Sequence, residues 1–519
     1  MDFPQEGESI YYRLQAAFSR DLYGNLLHCT GSQEARIRRN WHTISPELCT
    51  WSGTLYQSSN ASFTGIVLDN IPDPTHGKRE FEAFFSRLLL RQANFAISYQ
   101  SSSPDPSDLY TELVTEELVS LFDTYLRYQG EDDKWRDSGR GYFKERVYHF
   151  TSQGRRLELC LPAFPCKSSN TDKVTGKDPD RGEELALERL HGFVEAVEAI
   201  YSAGAKLWII SDGHVFSDCI GVNDKDVDAY CQKLIKMNRE IGFRRGNTDR
   251  VGFKSLVDLF ELEKYNSSLK LAKIDSFDIP VINHHVQTWI TTEAELCRRL
   301  LMAGCQSQKS ALRARIESQE AGVLALYRGF SRFMLEDLEL HPFTRTMSRS
   351  KQKKLASKVA FEMIMRNQAY SNLVELLFPN HIRLSIHAHN NAGPKFGVQL
   401  FDPKLVRAIE SLSQNSSSVT SLDLLHIPTP WHNCVAKVAG SEVLYVTKAK
   451  VVREALARGE MVGKLVTQED RFDPSRGVYF ALHDASHSGI DIRMREAIKR
   501  EKICLEPSKS DKSRKGCTS

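Results

Sequence analysis

Two segments constrain the fold of this chain more than any others. Leu157, Leu159 and Leu161 alternate with Glu158 and Cys160, and Lys206-Leu-Trp-Ile-Ile210 is a short apolar run; both read as strands. After the first comes a polar stretch, Pro162 to Gly182, and then a helical stripe of Leu190, Phe193, Val197 and Ile200. The second strand breaks at Ser211-Asp212-Gly213, and Asp224 to Met237 is helical again. Strand, polar loop, helix, twice over, predicts an α/β fold with a mainly parallel sheet and flanking helices. Ligands of such sheets sit beyond the carboxyl ends of the strands, so both polar loops are site candidates. Thr111–Arg127 and most of 285–378 add helices, and further strands are expected at 382–386, 434–438 and 443–447.

At 519 residues the chain exceeds one ordinary domain. The pattern predicts a partly helical N-terminal extension over 1–105, one large α/β unit over 106–498 and a basic disordered tail over 499–519. Net charge is +3, from 69 Lys and Arg against 66 Asp and Glu, without the basic excess of a nucleic-acid binder. The tail alone holds seven Lys and Arg against three Asp and Glu. The N-terminus, MDFPQEGESIYYRL, lacks the basic start and apolar run of a signal peptide, and runs such as Leu207–Ile210 are far short of a membrane span. A cytoplasmic protein with neither nucleic-acid nor membrane partners is expected. Eleven cysteines show no C-x-x-C pair, which reads as scattered reduced thiols.

Four constellations can carry chemistry. Asp212, His214 and Asp218 cluster just after the second strand, where carboxylates beside an imidazole suit proton transfer. The plain alternative is a turn, with Asp212 capping the next element and Gly213 at positive φ. In Ile382-Arg-Leu-Ser-Ile386, Arg383, Ser385 and His387 share one strand face, and Lys395 follows a Gly-Pro turn. That row suits an anion; a solvated strand face is its alternative. His387 and His389 are a conceivable chelating pair, but no spacing marks a third ligand, and no metal is expected. Lys167, Ser168 and Asn170 supply donors in the first polar loop, with Asp180 placed to cap the helix behind them. His432, beside Trp431, precedes a strand and lines a pocket or serves the core. Phe216, Trp431 and Phe396 are aromatics compatible with either place. His483-Asp484-x-x-His487 reads as an exposed loop, and no H-x-D or H-x-E iron motif occurs.

Seven motifs in order, FPCKSSN at 164–170, PDRGEELALERL at 179–190, LWIISDGHVFSD at 207–218, IGVNDKDVDAY at 220–230, HIRLSIHAH at 381–389, GPKFGVQL at 393–400 and TPWHN at 429–433, resemble the pyoverdine/dityrosine biosynthesis family, which contains the isocyanide synthases. The resemblance spans roughly 110 to 450. It implies a Rossmann-like catalytic domain with added helical insertions. It also implies conversion of the amino group of L-tyrosine, L-tryptophan or valine to an isocyanide, with C2 of ribulose 5-phosphate as carbon donor and no other cofactor. The dityrosine branch implies an N-formyl amino acid instead, and a non-catalytic ligand-binding protein on the same fold is a reading of another class. On the family chemistry, Asp212, His214, His387 and Lys395 are the expected catalytic residues. Lys167, Asp218, Arg383, His389 and His432 are the expected substrate-binding residues. The partners implied are small-molecule substrates and downstream tailoring enzymes, and the chain resembles a stand-alone synthase.

Overall fold

The structure, a computed structural model, describes residues 53–57, 63–68, 109–128, 130–260, 262, 289–305, 309–378, 381–387, 390–412, 428–467 and 477–484. The helix expected at the N-terminus, the basic tail and His389 lie outside these residues. Within the N-terminal 105, β1 (Gly53–Gln57) and β2 (Phe63–Leu68) form an antiparallel pair.

The centre is a five-stranded sheet, and all of its pairings are parallel. Helices α1 (Leu109–Asp123) and α2 (Arg140–Thr151) lead into β3 (Leu157–Pro162). There follow α3 (Arg181–Ile200), β4 (Ala205–Ile210), α4 (Gly213–Ile220), α5 (Asp224–Arg244) and β5 (Val251–Lys254). A helical stretch comes next: α6 (Leu256–Leu259), α7 (Thr292–Cys305), α8 (Lys309–Glu317), α9 (Ala321–Leu340) and α10 (Arg349–Leu377). The chain then returns through β6 (Ile382–Ser385) and β7 (Lys395–Gly397). Strand order is β5-β4-β3-β6-β7.

Leu159, Cys160 and Leu161 of β3 are all fully buried, so the alternation seen in the sequence does not mark one wet face. Helices cover both sides, as parallel sheets require. The α3 stripe, Leu187, Leu190, Val194 and Val197, packs into the same core as Leu207 and Ile209 of β4. Asp180 starts that helix with a capping box: its carboxylate accepts from the Gly182 amide at 2.7 Å, and Glu183 accepts from the Asp180 amide at 2.9 Å.

A second sheet completes the described body. It comprises β8 (Val406–Ala408), β9 (Cys434–Val438), β10 (Leu444–Thr447), β11 (Met461–Val466) and β12 (Tyr479–Asp484), in the order β11-β12-β9-β10-β8, with parallel and antiparallel pairs mixed. Helix α11 (Ala449–Ala457) buries Ala449, Val452 and Ala455 against it. His483 lies in β12, not in the loop that its polar neighbours suggest. Its side chain is exposed, as edge and outer-face positions allow.

Candidate active site

Strands β4 and β5 lie to one side of β3, and β6 and β7 to the other. Strand order therefore reverses between β3 and β6, where a crevice forms at the carboxyl ends. A cavity of about 250 Å³ occupies that place. Its floor is Pro162, Ala163 and Pro165 after β3 and Asp212 after β4. One wall is cationic, formed by Arg383, Ser385, His387, Lys395 and Ser371; the other is apolar, formed by Phe216, Phe330, Phe333, Met363 and Trp431.

The cationic wall follows from register. Arg383 pairs directly with Lys395 across β6 and β7, which puts both side chains on one face. They converge on Ser371 of α10: Lys395 Nζ lies 2.7 Å from its Oγ, and the Arg383 guanidinium donates to the same Oγ at 3.1 Å and to the Ser371 carbonyl at 3.2 Å. Two cations within reach of one hydroxyl make a corner suited to a phosphate or carboxylate. Burial, then the neighbouring Arg383, pulls the Lys395 pKa down to about 8. The His387 side chain is exposed where it lines the cavity. The surrounding protein, with the Arg127 and Lys395 cations nearby, lowers its pKa below the ordinary histidine value, so the ring is neutral at pH 7.

Asp212 stands at the N-terminus of α4, but its side chain caps nothing. Its Oδ1 is shielded from solvent and has no hydrogen-bond partner among the described residues. Burial raises this carboxyl to a pKa of about 7, the range in which a group can both take and give a proton near neutral pH. Gly213 is not at positive φ. It is needed for a close approach instead, since a Cβ there would collide with the Pro165 carbonyl oxygen and Val227. Beside Asp212, the Tyr370 hydroxyl donates to the Ile210 carbonyl at 2.8 Å and pins the end of β4. His432 also faces the cavity, its ring 4.9 Å from that of Phe333 and edge-on to it. Burial, then Lys173 and Lys167, holds its pKa well below the usual histidine range.

Three of the expected site residues do not line the cavity. Lys167 is buried in an ion triad, 2.8 Å from both Asp180 and Glu183, and donates to the Pro430 carbonyl at 2.7 Å. Burial penalises its charge, but the two carboxylates outweigh that and hold its pKa above the ordinary lysine value. Asp218 is gripped by Arg366 at 2.6 and 3.0 Å, with Arg298 at 3.7 Å. Burial opposes its ionisation, but these arginines win and keep its pKa below the usual range. His214 is buried toward α5, its Nε2 3.0 Å from Asp228. For the two on α4 the reason is helical geometry, which sends 214 and 218 to different sides from 212 and 216. Phe396 is likewise core, packed edge-on to Phe143 at 5.0 Å.

The sequence reading missed the helical wall. Asn367 and Ser371 stand four apart on α10, one polar face inside an apolar stripe, and that spacing was the available signal. Phe330 and Phe333 carry no such mark. Thr429 was also missed, although it belongs to the same segment as His432. Among the described residues no group of three or more His, Cys, Asp or Glu is placed to hold a metal ion, and no helix is long and apolar enough to cross a membrane.

This chain is similar to proteins already characterised. It is 44% identical over 372 residues to the spore wall maturation protein DIT1 of Saccharomyces cerevisiae, covering 72% of this chain and 68% of that one. It is 31% identical over 299 residues to an L-tyrosine isonitrile synthase of Xenorhabdus nematophila, covering 58% and 73%. It is 28% identical over 368 residues to the isocyanide synthase xanB of Aspergillus fumigatus, covering 70% and 43%. Among solved structures, the PvcA protein of Pseudomonas aeruginosa superposes with a TM-score of 0.53 at 25% identity, covering 71% of this chain and 99% of that chain. Residues 147–459, which contain the whole parallel sheet and its cavity, match the family described as pyoverdine/dityrosine biosynthesis protein. With that match and the yeast relative in hand, the chain belongs to the pyoverdine/dityrosine biosynthesis family.

Proposed function

We propose that this protein is an enzyme of the dityrosine branch, which attaches a one-carbon unit to the amino group of L-tyrosine and releases the N-formyl amino acid. Similarity to the yeast spore wall protein, at 44% over most of the chain, supports that branch over the bacterial isonitrile synthases at about 31%. The single structural observation that carries the chemistry is the two-sided cavity. Arg383 and Lys395 meet on one side, aromatic rings line the cavity with them, and Asp212, whose Oδ1 has no partner among the described residues, lines it too.

In this reading ribulose 5-phosphate is the carbon donor, its phosphate held by Arg383 and Lys395. The substrate amine attacks the C2 ketone and water leaves, giving an imine. Cleavage of the C1–C2 bond releases C1 as formaldehyde, and cleavage of the C2–C3 bond releases C3–C5, protonated at C3, as glycerol phosphate. C2 stays on nitrogen at the isocyanide level, and one water added to it gives the formamide. Asp212 moves protons at the amine, and the neutral His387 ring serves as a second proton carrier beside the phosphate. Isocyanide and formamide differ by one water, so an isocyanide synthase is the second reading, supported by the synthases among the relatives. The test is purified protein incubated with L-tyrosine and ribulose 5-phosphate, followed by mass spectrometry against an authentic isocyanide carried through the same work-up. N-formyltyrosine is expected. Accumulating isocyanide moves the assignment to the second reading, and the absence of both products refutes both.

A further inference from the structure

Buried polar atoms in proteins are nearly always hydrogen-bonded. Asp212 Oδ1, Thr429 Oγ1 and His432 Nδ1 are shielded from solvent without a hydrogen-bond partner among the described residues, and all three residues line the one cavity. Unpaired groups gathered around an empty space mark where a ligand supplies the missing partners. Asp212 has its use in the proton transfers above. Thr429 and His432 do not, and they stand together: the His432 amide donates to the Thr429 carbonyl at 3.1 Å across a short 3-10 turn, Pro430–His432.

The wall beside them is built for a ring. Phe333 meets His432 edge-on at 4.9 Å, while Lys173 Nζ sits 3.5 Å from the Phe333 ring centroid. Lys173 is itself buried and anchored 2.7 Å from Asp337. A cation over an aromatic face fixes the ring in place. Phe333 is therefore a rigid plane with the His432 imidazole against it, and Thr429, whose hydroxyl like His432 Nδ1 lacks a partner among the described residues, lines the same cavity.

We propose that Thr429 and His432 determine specificity by reading the phenolic hydroxyl of an amino-acid substrate whose ring lies against Phe333. This deepens the function proposed above and rests on it. A phenol both donates and accepts. The Thr429 hydroxyl donates to the phenol oxygen, and the neutral imidazole of His432 accepts the phenol proton. Phenylalanine satisfies neither group and leaves both buried and unpaired, which is the arrangement that gives strong rejection of an analogue lacking the hydroxyl.

The experiment is the ratio of kcat/KM for L-tyrosine over L-phenylalanine in the full chain, with ribulose 5-phosphate saturating. The wild type is expected to favour tyrosine. Thr429→Val and His432→Phe are each expected to lower the ratio by about tenfold or more, through loss of tyrosine turnover with phenylalanine turnover kept. Thr429→Ser, which retains the hydroxyl, is expected to hold the wild-type ratio and guards against misfolding as the cause. Tyrosine turnover with a ratio unchanged in both variants, or a wild type indifferent between the two amino acids, overturns the inference alone. Absence of tyrosine turnover in the wild type overturns the proposed function and the inference with it.

Discussion

Asp212 carries a cost that the fold accepts for the sake of the site. Its carboxyl has a pKa of about 7 in the native chain because burial desolvates it and its Oδ1 has no hydrogen-bond partner among the described residues, against roughly 3.9 for an unfolded aspartate. Between those two values the native state holds a proton that the unfolded state has lost. Stability from this group is thus fully present below pH ~4 and is lost as pH rises through about 7. Asp212→Asn has no proton to lose, so it should be more stable than wild type by about 1–2 kcal/mol at pH 8 and equal to it near pH 4. Denaturant titrations at the two pH values measure this. The same variant should lose turnover by a factor of about 100 or more. Lys395, with a pKa of about 8, sets the opposite limb. The proposed chemistry needs Asp212 ionised and Lys395 charged, so kcat/KM for ribulose 5-phosphate should be bell-shaped, with limbs near 7 and 8. Lys395→Arg, which stays charged, should extend the alkaline limb upward; an unmoved limb would exclude Lys395 as the group responsible.

Helix α4 shows why the elements of the site were easier to read than its residues. The sequence places Asp212, His214 and Asp218 within one short stretch, and nothing local says which of them faces a ligand. The deciding contacts come from far along the chain. Arg298 on α7 donates to the His214 carbonyl at 3.3 Å and pairs with Asp224 at 3.1 Å; Arg366 on α10 holds Asp218 and donates to the Val215 carbonyl at 2.8 Å. Two buried arginines thus clamp one side of α4, and that leaves Asp212 and Phe216 for the cavity. Strand, loop and helix were legible because periodicity is local: β3, α3, β4 and α5 fall where their apolar spacing puts them. The second sheet was legible only in part, since strands such as β8, three residues long, carry too little pattern. Asp218→Ala removes the carboxylate from between two buried guanidinium groups, and breaking such a pair costs about 3–5 kcal/mol. The expected result is a sharply lowered unfolding midpoint, with the KM of the fraction that folds unchanged. A raised KM at unaltered stability would instead put Asp218 at the substrate.

At the scale of the whole molecule the cavity is a junction. The parallel sheet supplies Asp212, Arg383 and Lys395, the helical layer supplies Phe333 and Ser371, and the segment entering the second sheet supplies Thr429 and His432. Lys167 ties the same parts together from behind, linking the first polar loop, the start of α3 and Pro430 across 263 residues of sequence. In the sequence Lys167 and Lys395 look alike, each a lysine in a loop after a strand; in the structure one faces carboxylates and the other faces the cavity. Ligand linkage separates them. A ligand that binds only the native state adds RT ln(1 + [L]/Kd), about 2.7 kcal/mol at a hundredfold excess over Kd. Ribulose 5-phosphate should therefore raise the melting temperature of the wild type by a few degrees. Lys395→Ala should melt close to the ligand-free wild type and show little of that increment, because it removes one of the two cations proposed to hold the phosphate. Lys167→Met should melt well below wild type, because Asp180 and Glu183 lose their buried partner, yet rise by the same increment when ligand is added, because the corner is intact. Thermal melts of the three proteins with and without ligand measure both quantities at once. If Lys167→Met lost the increment and Lys395→Ala kept it, the phosphate would have to be moved from the β6–β7 wall to the first polar loop.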